Sequence, residues 1–160
     1  MNHDAALRKQ LARLLESDEA HAGFEDAIAD FPVELRGKRP KGLPHSPWEL
    51  LEHMRIAQWD ILEFSRDAKH ESPKFPEGYW PASPEPPSEE AWEKSVKDFL
   101  ADRKALARLV EDESADLLVR IPHGSGQTLL REALLTADHN AYHLGQLVMV
   151  RRLLGAWPAA

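Results

Sequence analysis

Apolar residues recur at intervals of three and four along several stretches of the chain, and that period assigns helices. Between 4 and 16, Leu7, Leu11, Leu14 and Leu15 share one side while Arg8, Lys9, Arg13 and Glu16 lie largely on the other, which predicts a first amphipathic helix. A weaker helical pattern spans about 19–30, with Phe24, Ala27, Ile28 and Phe31 apolar. Pro32 ends it, because proline has no amide hydrogen for the helical ladder. The next helix opens at Ser46-Pro47-Trp48-Glu49: a capping serine, proline in the first helical position and glutamate three residues past the cap. It runs to about Arg66. Ser88-Glu89-Glu90 supplies a cap and first-turn negative charge to another helix ending near Glu111. Its apolar stripe is Trp92, Val96, Phe99, Leu100, Leu106, Leu109 and Val110. The last pattern extends from about Thr128 to Leu154 and stops at Gly155, with Pro158 beyond.

The intervening segments differ in kind. Residues 32–44 mix proline, glycine and basic residues, as expected of an irregular connection over a bundle surface. Residues 67–87 contain Pro73, Pro76, Pro81, Pro84, Pro86 and Pro87 with Phe75, Tyr79 and Trp80 among them. That composition suits neither a helix nor a central strand, and leaves two readings: a loop whose aromatics fold it back on the bundle, or a mobile linker. Residues 116–126 predict a short extended piece and a glycine-rich turn, without the Gly-Lys-Ser/Thr ending of a phosphate loop. Four long amphipathic segments, no convincing sheet and no internal repeat give one all-α domain over 1–160, a four-helix bundle with long connections.

Composition narrows the chemistry. A chain of 160 residues can bury one sizeable core. The absence of cysteine excludes disulfides, thiolate ligands and a cysteine nucleophile, so any metal must be held by nitrogen and oxygen. A net charge of −7 opposes sequence-independent binding to nucleic acid, which needs a concentrated basic surface. The basic clusters, Arg36 to Lys41 and Arg151-Arg152, are expected to be a loop and a solvated helix end. No apolar run approaches the roughly 18 residues of a membrane span, and the first residues lack a secretory core. The expectation is a soluble, cytoplasmic protein.

The residues that carry chemistry are histidines. In the last helix His139 and His143 stand four apart, one above the other, the spacing of a two-imidazole clamp. Their stripe reads Thr128, Glu132, Leu135, His139, His143, Gln146, Val150 and Leu153. His53 shares the inward face of the helix that begins at Ser46 with Leu50, Ala57 and Phe64. A histidine on such a face commonly satisfies its second nitrogen with a carboxylate or carbonyl. One imidazole from one helix and two from another can equally meet in a bundle core as a metal site. Both readings stand on spacing alone.

Two segments, Pro44-His45-Ser46-Pro47-Trp48-Glu49-Leu50-Leu51-Glu52-His53-Met54 and Asp138-His139-Asn140-Ala141-Tyr142-His143-Leu144-Gly145-Gln146, resemble the DinB-like superfamily of bacterial metal-binding four-helix bundles in order, helix placement and separation. That resemblance implies that His53, His139 and His143 hold one divalent metal, commonly nickel or zinc. Relatives of that kind include thiol S-transferases using bacillithiol, mycothiol-dependent isomerases and glutathione-linked counterparts, and they often form homodimers. It also implies a small-molecule substrate, with a low-molecular-weight thiol as a possible cosubstrate. Three neutral imidazoles leave a coordination position open, which distinguishes a catalytic-type site from a closed structural one. A thiol there would bind as thiolate, serving thiol transfer, and a water would serve hydrolysis. The alternative is a non-catalytic, stress-related bundle that binds a metal or small molecule.

Around this centre, Asp60, one helical face along from His53, and Glu132, two turns before His139, are the carboxylates best placed as proton acceptor or orienting partner. Gln146 is expected to hydrogen-bond between helices or to a ligand, and Asp138 and Asn140 to serve helix contacts. His45 precedes a helix cap and borders the site mouth or lies exposed in its loop. His21 and His123 are the candidates for closing the coordination sphere, and exposed tryptophans among Trp48, Trp59, Trp80, Trp92 and Trp157 for a dimer face.

Overall fold

The computed structural model describes residues 3–16 and 20–157, and among these the regular elements are helical. The helices are α1 (His3–Glu16), α2 (Phe24–Ile28), α3 (Pro47–Arg66), α4 (Glu89–Glu111) and α5 (Leu129–Leu153), with 3-10 turns at Val33–Leu35 and Glu77–Tyr79. The long helices start where their caps predict. Ser46 Oγ accepts from the Glu49 amide at 3.2 Å and Glu49 returns the bond to the Ser46 amide at 2.8 Å, while Thr128 caps α5 and Ser88 caps α4. At the far end of α5, Gly155 takes the left-handed φ of 72°, a conformation glycine adopts at little cost. Pro158 lies outside the described residues.

The helix contacts define an up-down-down-up bundle. His53 meets His143 and Gln58 meets Asn140, so α3 and α5 run antiparallel. Glu52 meets Ser95 and Gln58 meets the Phe99 carbonyl, so α3 and α4 run parallel. Parallel neighbours cannot be joined by a tight turn. The chain must retrace about 30 Å, the length of a 20-residue helix, and residues 67–87 do this across the bundle surface, with Ser46 Oγ donating to the Pro84 carbonyl near their end at 2.6 Å. Of the two readings of this segment, the folded-back loop is the one observed. Before α5, an antiparallel bridge between Arg120 and Thr128 forms the short turn expected there.

Two apolar clusters fill the bundle. One is rich in aromatics, with Phe24, Phe31, Trp48, Trp92 and Phe99 around Leu51, Met54 and Leu147; the other is aliphatic, with Leu11, Leu15, Leu62, Leu106, Val110 and Leu129. Between them Gln58 spans α3, α4 and α5, donating to the Phe99 carbonyl at 2.7 Å and accepting from Asn140 at 2.8 Å. Asn140 thus makes the helix contact expected of it.

Three expectations need correction. The weak second helix is only Phe24–Ile28; Gly23 stands at its N-cap and Asp30 takes a positive φ of 51°, while residues 17–19 lie outside the described part. In α1 the inward face is rotated: Leu7 and Leu14 are exposed and Arg8 is buried. Arg8 donates to the carbonyls of Val110, Asp112 and Ala115, at 2.8–2.9 Å, supplying partners that the end of α4 lacks. Likewise Arg151 is not part of a solvated helix end. It is 2% exposed and donates to the carbonyls of Asp26, Ala27 and Ala29 at the end of α2, and to Ala156. No helix among the described residues is long and apolar enough to cross a membrane.

Candidate metal centre

His53 from α3 and His139 and His143 from α5 bring one nitrogen each to a common point. The three ligand atoms lie within 4.8 Å of one another, and His53 Nε2 is 3.1 Å from Nε2 of both His143 and His139. The tautomers of two rings follow from their other nitrogens. His53 Nδ1 meets the Tyr79 carbonyl at 2.9 Å and His143 Nδ1 meets Gln146 Oε1 at 2.7 Å. An oxygen of either kind only accepts, so both Nδ1 atoms carry hydrogen and both Nε2 atoms present lone pairs. Two lone pairs facing each other at 3.1 Å repel unless a cation lies between them. The donor set therefore fits a divalent ion of borderline softness, bound by three imidazole nitrogens.

Electrostatics agree with that fit. Burial lowers His53 to about 4 against the helping pull of the Tyr79 carbonyl, with His143 and His45 adding to the lowering. Burial likewise takes His139 to about 4, reinforced by His143 and His53, and lowers His143. Neutral imidazole is the form a metal requires. Here it is the stable form well below neutrality.

The loop 67–87 supplies a roof. Trp80 lies flat on His53, centroids 3.9 Å apart and planes 2° from parallel, and His45 stacks on the other face of Trp80 at 4.1 Å. Tyr79, whose carbonyl orients His53, sends its hydroxyl to Asp60 Oδ2 at 2.6 Å, and His70 Nε2 meets Asp60 Oδ1 at 2.8 Å. Burial and Asp60 raise the Tyr79 hydroxyl to about 12. Asp60 thus ties two loop residues to α3, and through Tyr79 it bears on the position of His53. Asp60 and Glu132 both sit apart from the ligand cluster, which is made of histidines alone among the described residues. Glu132 is buried against Arg131 and its carbonyl accepts from Thr136.

The remaining candidates fall elsewhere. Gln146 orients His143. His123 bonds the Phe64 carbonyl and His21 the Ala22 carbonyl, both at exposed positions, so neither closes the centre. None of the five tryptophans is fully exposed: Trp48 and Trp92 are buried and the others half-buried. The stripe through His139 and His143 is also corrected, since Leu135 and Leu153 are exposed. The buried face of α5 centres on Ala133, Thr136 and Leu147, roughly 90° round the helix from that stripe at 100° per residue. The two histidines consequently stand at the edge of that face, His143 buried and His139 partly exposed. Sequence reasoning missed His70, Tyr79 and Trp80 as parts of the site; the aromatics in a proline-rich loop were the only signal.

An all-α bundle with a three-imidazole centre shared by two of its helices is a defined class of protein. Residues 16–147 match the DinB superfamily, and the chain belongs to it. No curated protein and no solved structure gives a match.

Proposed function

We propose that the protein is a divalent-metal-dependent enzyme of thiol S-transferase type, joining a small thiol to a small electrophile in the cytoplasm. The observation that carries this reading is the convergence of three Nε2 atoms, two of which present lone pairs because their Nδ1 atoms donate hydrogen bonds. His53, His139 and His143 would hold the ion, nickel or zinc by the family resemblance. When bound, such an ion supplies the positive charge that favours thiolate over thiol at neutral pH.

The chain's own groups then do three things. The Tyr79 carbonyl and Gln146 hold the rings of His53 and His143 in register, Trp80 shields one face of His53 from water, and Asp60 anchors Tyr79. None of these is a free base, because both oxygens of Asp60 already accept hydrogen bonds. That favours a thiol, which loses its proton with little help, over water, whose activation profits more from an adjacent proton acceptor. The sulfur–carbon bond forms as the leaving group departs with its electron pair, and the thiol proton goes to solvent.

A homodimer belongs to the same proposal, with exposed Leu135 and Tyr142, two turns apart on α5, as its candidate face; sedimentation of wild type beside Tyr142→Glu tests it. The function is tested by plasma mass spectrometry on untagged protein dialysed against metal-free buffer. The expected result is near one nickel or zinc per chain, followed by thiol consumption with an electrophile such as 1-chloro-2,4-dinitrobenzene. Metal binding without turnover would support the binding bundle instead, and failure to take up either metal would sink the enzyme reading.

A further inference from the structure

About one helical turn from the histidines, toward the end of α5, a cavity of about 100 Å³ opens between Leu43 and Pro44 of the connection before α3, Leu50 of α3, and Met149 and Val150 of α5. His45 and Gln146 complete its wall, and both connect it to the centre. Gln146 accepts the Nδ1 hydrogen of His143, and His45 is the third ring of the stack with Trp80 and His53. The amide nitrogen of Gln146 donates to no protein group among the described residues, so it faces a ligand or water. No charged side chain lines the cavity, and burial lowers the pKa of His45, which keeps that ring neutral near pH 7. A charged group entering here would lose hydration without finding a counter-charge.

Size bounds the occupant. A dry cavity of about 150 Å³ accommodates benzene, so about 100 Å³ suits roughly four carbon atoms. Met149 at the rim is 53% exposed, and a longer chain would emerge past it into solvent. We infer that this cavity is the subsite for an uncharged aliphatic group of about four carbons, carried by the same ligand whose polar end reaches the three Nε2 atoms, with the Gln146 amide donating to an acceptor between them. The inference rests on the metal reading and narrows its substrate class to small electrophiles or thiols bearing a short apolar substituent.

The test uses straight-chain hydroxamic acids, from acetohydroxamic to octanohydroxamic acid, titrated into cobalt(II)-loaded protein and followed by visible absorption. The expected result is a dissociation constant that falls about fourfold for each added methylene up to about four chain carbons, then levels off. Met149→Glu, at an exposed position, flattens that gradient. Hydroxamates that bind with no dependence on chain length would overturn the subsite and leave the metal centre standing. Should no cobalt bind, the metal reading fails, and the cavity is judged on metal-free protein carrying 13C-methyl methionine. A saturable shift of the Met149 methyl with 1-butanol, absent with sodium butyrate and not shared by Met54, upholds the apolar subsite. No shift of Met149 overturns it.

Discussion

The two buried arginines and the three clustered histidines are both polar groups inside an apolar bundle, yet their surroundings differ in kind. Among the described residues, Arg8 makes four hydrogen bonds, one to Asp4 and three to carbonyls around the end of α4. Arg151 makes four with the described residues, each to a carbonyl. Each guanidinium meets acceptors on all sides and completes a helix end that would otherwise bury unpaired oxygens. At the histidines, acceptor faces acceptor: the Nδ1 hydrogens are taken by Tyr79 and Gln146, and the Nε2 lone pairs point at one another. A saturated polar cluster belongs to the structure, whereas one that is complete only with a cation belongs to function.

That contrast can be broken from either side. The largest effect is expected for His143→Ala, which removes one of three ligands: bound metal should fall from near one ion per chain to none by mass spectrometry. The metal-free variant should lose only about 1–2 kcal/mol in urea, from the bond to Gln146 and the vacated volume, since the ring gains little from its two facing neighbours. A collapse of the metal-free fold would instead put the histidines with the arginines. Arg151→Met should do the reverse, lowering stability by about 3 kcal/mol because several buried carbonyls lose their donor, while the folded fraction keeps its metal. Equal stability of variant and wild type in urea would show that the arginine is no anchor.

Smaller effects grade the link between loop and centre. Tyr79→Phe and Asp60→Asn each loosen the segment that orients His53, and metal affinity should weaken about 10- to 100-fold, the usual consequence of disturbing the partner of a ligating histidine. Competition with a chromogenic chelator measures it, and an unchanged dissociation constant would detach the loop from the site. The smallest effect is that of pH on the metal-free protein. Burial holds His53 and His139 at about 4 in the folded state against 6.5 ordinarily, so between those values the unfolded chain binds more protons than the folded one. Stability should decline as pH drops from about 6.5 to about 4 and level off below. A His53→Gln, His139→Gln double variant should show a shallower decline, read from urea midpoints at pH 7 and 4.5.

How far the sequence could be read depended on the reach of each interaction. Ser46 and Glu49 cap α3 within a single turn, and the spacing of His139 and His143 follows from helical geometry, so both were legible. The faces of α1 and α5 were misread at Arg8 and Arg151, because a hydrophobicity pattern assigns arginine to solvent. The roof was legible only as a proline-rich loop with aromatics, since nothing in residues 67–87 says which ring meets which helix.

By itself, the sequence determined the helices, their caps, the absence of cysteine ligands and nucleophiles and the placement of the three histidines on two helices, because these depend on neighbours within a turn or two. Only the tertiary structure decided that α3 and α4 run parallel, that a loop carbonyl orients His53, and that Arg8 and Arg151 close helix ends more than a hundred residues away in the chain. The acceptors in those contacts are main-chain carbonyls, which every residue carries. No pattern of side chains marks them in advance, so their partners become visible only once the chain has folded.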